Sequence, residues 1–459
     1  MSESKNDSLL QKAETERAEY AEHNGQAHDI ISLRQRLQST NPADIAEDFE
    51  NLDDEQLVTQ FRMLSKNTAA DVFANLSGST QESIVNAIQD YEISHIVDDL
   101  FLDDAVDFIE EMPANVVKRV LRNLPKNKRN MINHFLQYPD GSAGSIMTIE
   151  FVDLKEFLTV EETFQRIRRI AVDRETIYTC YVIDSQRRLL GVVSAKTLLL
   201  AEPEDKIGDI MDRDVIYATT CEDVENLAND FRKYGLLAMP IVDNEHRLVG
   251  IVTVDDVLEI QEEEATEDFE IMAAISPSDD PYLKTSVWVL TKNRLPWLML
   301  LMLTATITGT IIEGFQDALA SVTVLMSFIP MLMDTGGNCG AQSSTLVIRN
   351  MALGEVESGD IFRVWWKEIR IAVLCGGALA VVNCIRILIL HGNIVIALSV
   401  SLSLYCTVLI AKSMGCMLPQ IAKRLKFDPA VMASPMITTL VDACSLLIFF
   451  TIAKITLNI

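Results

Sequence analysis

The chain has 459 residues, 49% hydrophobic and 23% charged, with a formal net charge of −27 at pH 7. Such a length suits two or three domains, and so acidic a balance argues against nucleic acid and for cations as partners. The charge is unevenly spread: residues 1–283 hold 57 acidic and 26 basic side chains, whereas residues 284–459 hold 9 and 13. The 8 cysteines show no CxxC or CxxxC spacing, so they are expected to be reduced packing residues and not a disulfide framework or zinc site.

Residues 1–30 are polar, and the start, MSESKNDSLL, lacks an apolar h-region, so no cleaved signal peptide is expected there. The composition suits disorder or a loose helix. Over 31–138, segments such as PADIAEDFENL, AADVFANL, DDAVDFIEEM and NVVKRVLRNL place apolar residues at three- and four-residue spacing. Pro, Gly, Asn and Ser break them. The pattern predicts a helical N domain built as a superhelix of stacked hairpins.

An internal repeat follows. YVIDSQRRLLGVVSAKTLL (Tyr181 to Leu199) aligns with PIVDNEHRLVGIVTVDDVL (Pro240 to Leu258) at an offset of 59, matching Asp184 to Asp243 and Gly191 to Gly250. Upstream, SIMT (Ser145 to Thr148) echoes DIMD (Asp209 to Asp212). Each unit reads as helix, strand, turn, strand, helix and resembles one member of a tandem CBS pair, the first over 139–200 and the second over 201–260. Such pairs are usually regulatory and many bind adenine nucleotides, so ATP is a possible ligand by resemblance. Beyond the repeat, Asp255 to Glu270 holds nine acidic residues and no basic one. The segment has helical composition, and like charges at i,i+4 strain it unless cations relieve the repulsion.

From about 295 the apolar runs reach bilayer length, and five spans are expected, at about 295–315, 318–334, 369–390, 394–418 and 431–457. Lys284, Lys292 and Arg294 precede the first, Arg349, Arg363, Lys367 and Arg370 separate the second from the third, and Lys423, Arg424 and Lys426 separate the fourth from the fifth. The other two connections carry no Lys or Arg, so the acidic N-terminal part is expected in the cytoplasm and the C-terminus outside. The fold expected is therefore a multidomain membrane protein: a cytoplasmic α-helical superhelix plus tandem α/β CBS domains, then an all-α five-span transmembrane domain over 285–459.

LVDACSLLIFF (Leu440 to Phe450) holds one carboxylate, Asp442, with no cation nearer downstream than Lys454. An intramembrane acid is a functional hypothesis by default; the competing reading is an ion pair with Arg386 or Lys412 on another span. Ser434 and Thr438, one to two turns earlier, fall on or near the same helix face. Asp428, before Pro429, suits a helix N-cap. The glycines of DTGGNCGAQSS are expected to break the second span and expose carbonyls, with Asp334, Gly337 and Asn338 lining the path.

Four motifs in order, PDGSAGSIMTIEFVDL, ATEDFEIMAAI leading to NRLPWLMLL, PMLMDTGGNCGAQSSTLVIR, and FDPAVMASPMITTLVDACSLL, resemble the MgtE family of magnesium channels and transporters over nearly the whole chain. The resemblance implies a homodimer in the lipid bilayer of the cell membrane, importing Mg²⁺ through a pore on the two-fold axis where Asp442 meets the hydrated ion. It implies a connecting "plug" helix over 261–284 and closure by Mg²⁺ bound between acidic faces. By position it assigns to that sensor and gate Asp103 and Asp107 of the helical domain, Asp223 and Glu225 of the second CBS domain, Asp256, Glu259, Glu264, Glu267 and Asp268 of the acidic run, and Asp428 near the plug. Asp334 and Ala341 depart from the family pattern, which has a small residue and an asparagine there; the extra acid bears on selectivity.

An enzyme is disfavoured: the His residues, at 23, 28, 95, 134, 246 and 391, form no HExxH, and no GxSxG, Walker or Gly-rich nucleotide motif occurs. An anion channel would want basic lining. A proton-coupled or less selective carrier of Co²⁺, Ni²⁺ or Mn²⁺, and a non-transporting receptor, remain as alternatives.

Overall fold

The computed structural model describes residues 32–278, 282–283, 285–316, 322–357 and 359–457; the polar segment 1–30 lies outside them. The chain divides into two compact units, Met1–Ile260 and Gln261–Ile459.

The first unit opens with short helices: α1 (32–39), α2 (Pro42–Glu50), α3 (Asp54–Phe61), α4 (Lys66–Ala74), α5 (Gly78–Ala87), α6 (Asp90–Asp99), α7 (Leu102–Glu111), α8 (Ala114–Asn123) and α9 (Lys126–Phe135). Their ends are written locally. Asn41 accepts from Ala43 N and Asp53 from Gln56 N, and Pro113 and Pro125 precede α8 and α9. Each helix rests on the one two places along: α2 on α4, α4 on α6, α6 on α8, and likewise α3, α5, α7 and α9. That is the expected superhelix in two layers. Phe49, Phe73 and Phe108 lie in its core, the last two edge to face at 5.1 Å.

Two three-stranded sheets follow. In one, β1 (Val152–Leu154) runs parallel to β2 (Thr179–Ile183), which pairs antiparallel with β3 (Leu189–Ser194). In the other, β4 (Ala218–Thr219), β5 (Ala238–Val242) and β6 (Leu248–Thr253) repeat the arrangement. Helices α10 (Val160–Ile170), α11 (Ala195–Leu200), α12 (Ile207–Ile210) and α13 (Val224–Tyr234) complete the pair. The repeated aspartates build equivalent turns. Asp184 Oδ1 accepts from Gln186 N and Arg188 N, and Asp243 Oδ1 from Glu245 N and Arg247 N.

The repeated glycines have a different cause. A Cβ on Gly191 would stand 2.6 Å from the Asp212 carbonyl oxygen, and one on Gly250 would stand 2.7 Å from that of Thr148. So the leading segments are exchanged. SIMT bridges to β6 through Thr148 and Ile251, and DIMD to β3 through Asp212 and Val192. The boundaries read from sequence therefore cut across the packing, since each sheet is completed by residues assigned to the other repeat. The junction of the two units at 260 and 261 falls inside a helix: α14 (Val254–Met272) runs unbroken through it. The glutamates are good helix formers, and nothing at 260 and 261 interrupts them.

The second unit contains α15 (Val287–Gly314), α16 (Ile329–Ala352), α17 (Ile361–His391), α18 (Ile394–Arg424) and α19 (Ser434–Leu457). Among the described residues four stretches, Val287–Gly314, Ile361–His391, Ile394–Arg424 and Pro429–Leu457, are long and apolar enough to cross a membrane. α18 packs against α16, α17 and α19; α15 packs mainly on α19 and buries none of its residues. Two expectations are corrected. Of the second expected stretch, 318–334, residues 318–321 lie outside the described residues, and the long helix in this region is Ile329–Ala352, which runs well past 334. And DTGGNCGAQSS does not break it: the helix runs through the glycines.

Those glycines are contact points. A Cβ on Gly336 would stand 2.8 Å from Ser445 Oγ and from Thr407 Cγ2, and one on Gly340 2.7 Å from Ile437 Cγ2. Small residues let helix backbones approach inside a bilayer. Gly415 of α18 meets the Gly340 carbonyl oxygen so closely that a Cβ there would collide with it. Gly415→Ala is thus expected to cost about 1–3 kcal/mol through overpacking, seen as a lower melting temperature in detergent. Gly309→Ala, with no neighbour within 4 Å, serves as control; equal melting of the two variants would contradict the close crossing.

Candidate ion path and cation sensor

In the second unit, α16 has two dissimilar faces. Gly336, Gly337, Gly340, Ser343, Ser344 and Val347 are buried, whereas Asp334, Asn338, Gln342, Thr345 and Arg349 are exposed. The exposed set recurs at intervals of three and four and forms one stripe. Donors and acceptors on a membrane helix need water or protein partners, so this stripe is suited to a water-filled path. Asp442 of α19 is half-buried, and the Asp334 carboxylate lies near enough to repel it.

Neither candidate cation pairs with Asp442. Arg386 donates to Asn383 Oδ1 at 2.9 Å, and Lys412 donates to Ser343 Oγ at 3.1 Å and pairs with Glu368. Among the described residues no ion pair involves Asp442.

Of the other expected lining residues, Asn338 and Asp334 are on the exposed face. Gly337 is not; it is buried, with Thr438 Cγ2 3.0 Å from where its Cβ would be. Thr438 Oγ1 donates to Pro435 O at 3.0 Å. Ser434 starts α19, and its side chain lies outside the described residues. Asp428 performs the local task its sequence suggests: it caps the turn Pro429–Met432 and accepts from Ala430 N at 2.8 Å. Gln342 and Thr345 were missed by sequence reasoning, although the helical period, carried on from Asp334 and Asn338, would have found them.

In the first unit, Asp103, Asp104 and Asp107 of α7 converge with Glu175, which precedes β2, and with Asp255, Asp256 and Glu259 at the start of α14. Burial pushes the Asp103 carboxyl well up, aided by Asp104, Asp256 and Glu175. Burial and then Asp256 raise Asp104 to about 7. Loss of water around Asp107, then Asp104 and Glu110, raise it to about 8. Glu175 is raised to about 8 by burial and by Asp104. Asp256 reaches about 6, burial outweighing its hydrogen bonds from Thr253. Lys128 enters the same neighbourhood. Its ammonium donates to Leu100 O at 2.6 Å and is attracted by Glu150, Asp98, Asp103 and Asp104, while burial lowers its pKa.

The structure thus brings together four of the expected sensor residues, Asp103, Asp107, Asp256 and Glu259. Asp223 and Glu225 are elsewhere, at the start of α13, where Asp223 caps the helix by accepting from Glu225 N at 3.0 Å. Glu264, Glu267 and Asp268 lie on the part of α14 beyond Ile260. Asp104, Glu175 and Lys128 escaped the sequence reading, and for Glu175 no local pattern pointed to it. Among the described residues no three acidic, His or Cys side chains form a ready-made metal site. The cluster is a crowded field of carboxyls, not a chelate.

The MgtE family model, described as a divalent cation transporter, matches residues 329–452. The MgtE intracellular N domain matches 40–141 and a CBS domain 207–263. A magnesium transporter MgtE of Thermus thermophilus is 36% identical over 437 residues, 94% of this chain and 97% of its own. The chain belongs to the MgtE family. Another MgtE, from Bacillus subtilis, is 33% identical over 429 residues and covers 94% of each chain. The solved soluble part of a magnesium transporter superposes with a TM-score of 0.50 at 27% identity, over 52% of this chain and 94% of that one. MgtE proteins are transporters and not enzymes, and with its long apolar helices this member is a multi-pass membrane protein.

The crowded carboxyls make stability depend on pH. Their folded-state pKa values lie above the unfolded ones, so their contribution is fully present below the unfolded pKa, about 4, and is lost as pH rises through about 6 to 8. Melting of the full-length protein in detergent with EDTA is expected to fall between about pH 5 and pH 9. Mg²⁺ is expected to raise it more at the alkaline end, where more carboxylates need neutralising. A flat profile would show that the cluster is solvated and not crowded.

Proposed function

We propose that this protein is a magnesium-selective channel that imports Mg²⁺ as a homodimer, with Asp442 at the narrow part of the path. The observation that carries the reading is a carboxylate among apolar helices that has no ion-pair partner among the described residues and lies close enough to a second carboxylate, Asp334, to be repelled by it. Two acids in low dielectric repel each other unless a cation or a proton stands between them. Mg²⁺ sheds its waters reluctantly, so Asp442, Asp334, Asn338 and Thr438 would contact the hydrated ion through its waters. In a two-fold dimer each group occurs twice around the axis. The placement of Lys and Arg favours a cytoplasmic N-terminus and an outer C-terminus.

We also infer that cytoplasmic Mg²⁺ closes the pore. The acids of α7, Glu175 and the start of α14 would be held together by divalent cations and driven apart without them. A ligand that binds only one arrangement shifts the population towards it. Asp223, Glu225, Glu264, Glu267, Asp268 and Asp428 complete the proposed sensor and gate, and adenine nucleotide at the CBS pair would be a second input. The Asp334–Asp442 pair also favours a second reading, a carrier that couples cation entry to protons or accepts Co²⁺, Ni²⁺ or Mn²⁺, because paired carboxylates can share a proton.

Proteoliposomes loaded with a Mg²⁺-sensitive dye test both readings. Wild type is expected to admit Mg²⁺ under a membrane potential without any proton or sodium gradient, and Asp442→Ala to lose at least about tenfold in influx. Asp334→Ala is expected to lower Mg²⁺ influx and to change the ratio of Co²⁺ to Mg²⁺. Full influx through a well-inserted Asp442→Ala protein would remove Asp442 from the path. Influx that requires a proton gradient would favour the carrier.

A further inference from the structure

Away from the proposed path, three side chains from three helices meet inside the second unit. Ser343 Oγ of α16 donates to Glu368 Oε2 of α17 at 2.7 Å. Lys412 Nζ of α18 donates to Ser343 Oγ at 3.1 Å and stands 3.5 Å from the same Glu368 oxygen. Both charged side chains are only 7% exposed. A buried pair of this kind is tolerated because each charge offsets the other, and removal of one partner strands the other. In a bilayer interior such a pair calls for a functional account.

Its position supplies one. One turn before Ser343 is Gly340, and one turn after Lys412 is Gly415; these glycines let the backbones of α16 and α18 approach closely. The polar contact and the backbone contact therefore lie side by side at one helix crossing. On α16, Ser343 is about 140–180° around the axis from Asn338 and Asp334. Apolar faces alone leave a helix free to turn by small angles, whereas one carboxylate oxygen shared between a hydroxyl and an ammonium defines a rotation. The group is poorly suited to hold a transported cation itself: Lys412 already occupies the carboxylate's neighbourhood and would repel one.

We propose that Glu368, Ser343 and Lys412 are positioning residues that lock the rotation of α16 and keep Asp334 and Asn338 turned to the ion path. This rests on the transport reading above. The clamp is internal to one protomer, neutral overall, and acts through α16 without touching the ion.

The test uses full-length protein in liposomes with the Mg²⁺ dye, comparing wild type, E368Q, K412M, E368Q/K412M, S343A and D442A. E368Q and K412M are each expected to lose about tenfold in influx, as when a residue supporting a metal-contacting group is removed. The double variant strands no charge and is expected to recover to within about threefold of wild type. S343A should insert normally yet shift both the half-saturating Mg²⁺ concentration and the Co²⁺ to Mg²⁺ influx ratio, which a purely structural role would leave alone. A double variant as impaired as the worse single one overturns the proposal, as does an S343A protein with wild-type half-saturation and ratio. If the single variants fail to insert while the double variant inserts and transports, that contrast supports the clamp; if all three fail, S343A decides. Wild type no more active than D442A would sink the transport reading instead. The clamp would then be judged on melting temperature, with a double variant no more stable than the single ones counting against it.

Discussion

A carboxylate among apolar helices must be met by a cation, a proton or water, and the second unit is arranged around that constraint. Asp442 has neither of its possible basic partners, because Arg386 and Lys412 are engaged elsewhere. The glycines of α16 connect this fact to the fold. Without Cβ atoms at Gly336 and Gly340, α16 lies close enough to α19 for Asp334 to act on Asp442. Close packing on one side of the helix thus creates the electrostatic problem on the other, which a divalent cation would relieve.

The same constraint operates in softer form in the first unit. There the acids belong to a superhelix, to a loop beside a CBS strand and to the start of a long helix, and folding crowds them until several carboxyls are raised into the neutral range. Lys128 offsets part of the field, while its own burial disfavours its charge. Because no ready-made chelate exists among the described residues, a bound cation would have to draw groups together. Binding and conformation would then be one equilibrium, and the proposed response would be graded. A rigid site of high affinity would stay filled and could report nothing.

Periodicity and turn chemistry made much of this legible. Asp184 and Asp243 announced equivalent turns, and both accept the same pair of backbone amides. The short helices of the superhelix were visible in their spacing and their prolines. What failed was the meaning of glycine. In a soluble protein Gly-Gly argues for a break, but in a bilayer the backbone must keep its own hydrogen bonds and the same residues become contact points. The exchanged CBS segments were hidden because repeat matching reports similarity and not partnership: SIMT and DIMD look alike, and each completes the other's sheet. Glu175 was hidden because a single acid in a loop has no period. Its importance comes only from what the fold places opposite it.

Two treatments of intramembrane charge therefore coexist in one helical bundle. At Glu368 and Lys412 the charges cancel, with Ser343 between them; such a group is closed to ions and holds helices in register. At Asp334 and Asp442 charge of one sign accumulates uncompensated; such a group is open and costly when empty. The two are linked through α16, which carries Ser343 on its buried face and Asp334 on its exposed one. A helix with a costly exposed face lowers its free energy by turning that face into its neighbours, and a plain apolar contact would resist this weakly. A neutral polar lock on the far side opposes the turn without adding net charge to the bundle. An uncompensated acid is tolerable in this membrane segment because a compensated pair behind it removes the freedom to hide.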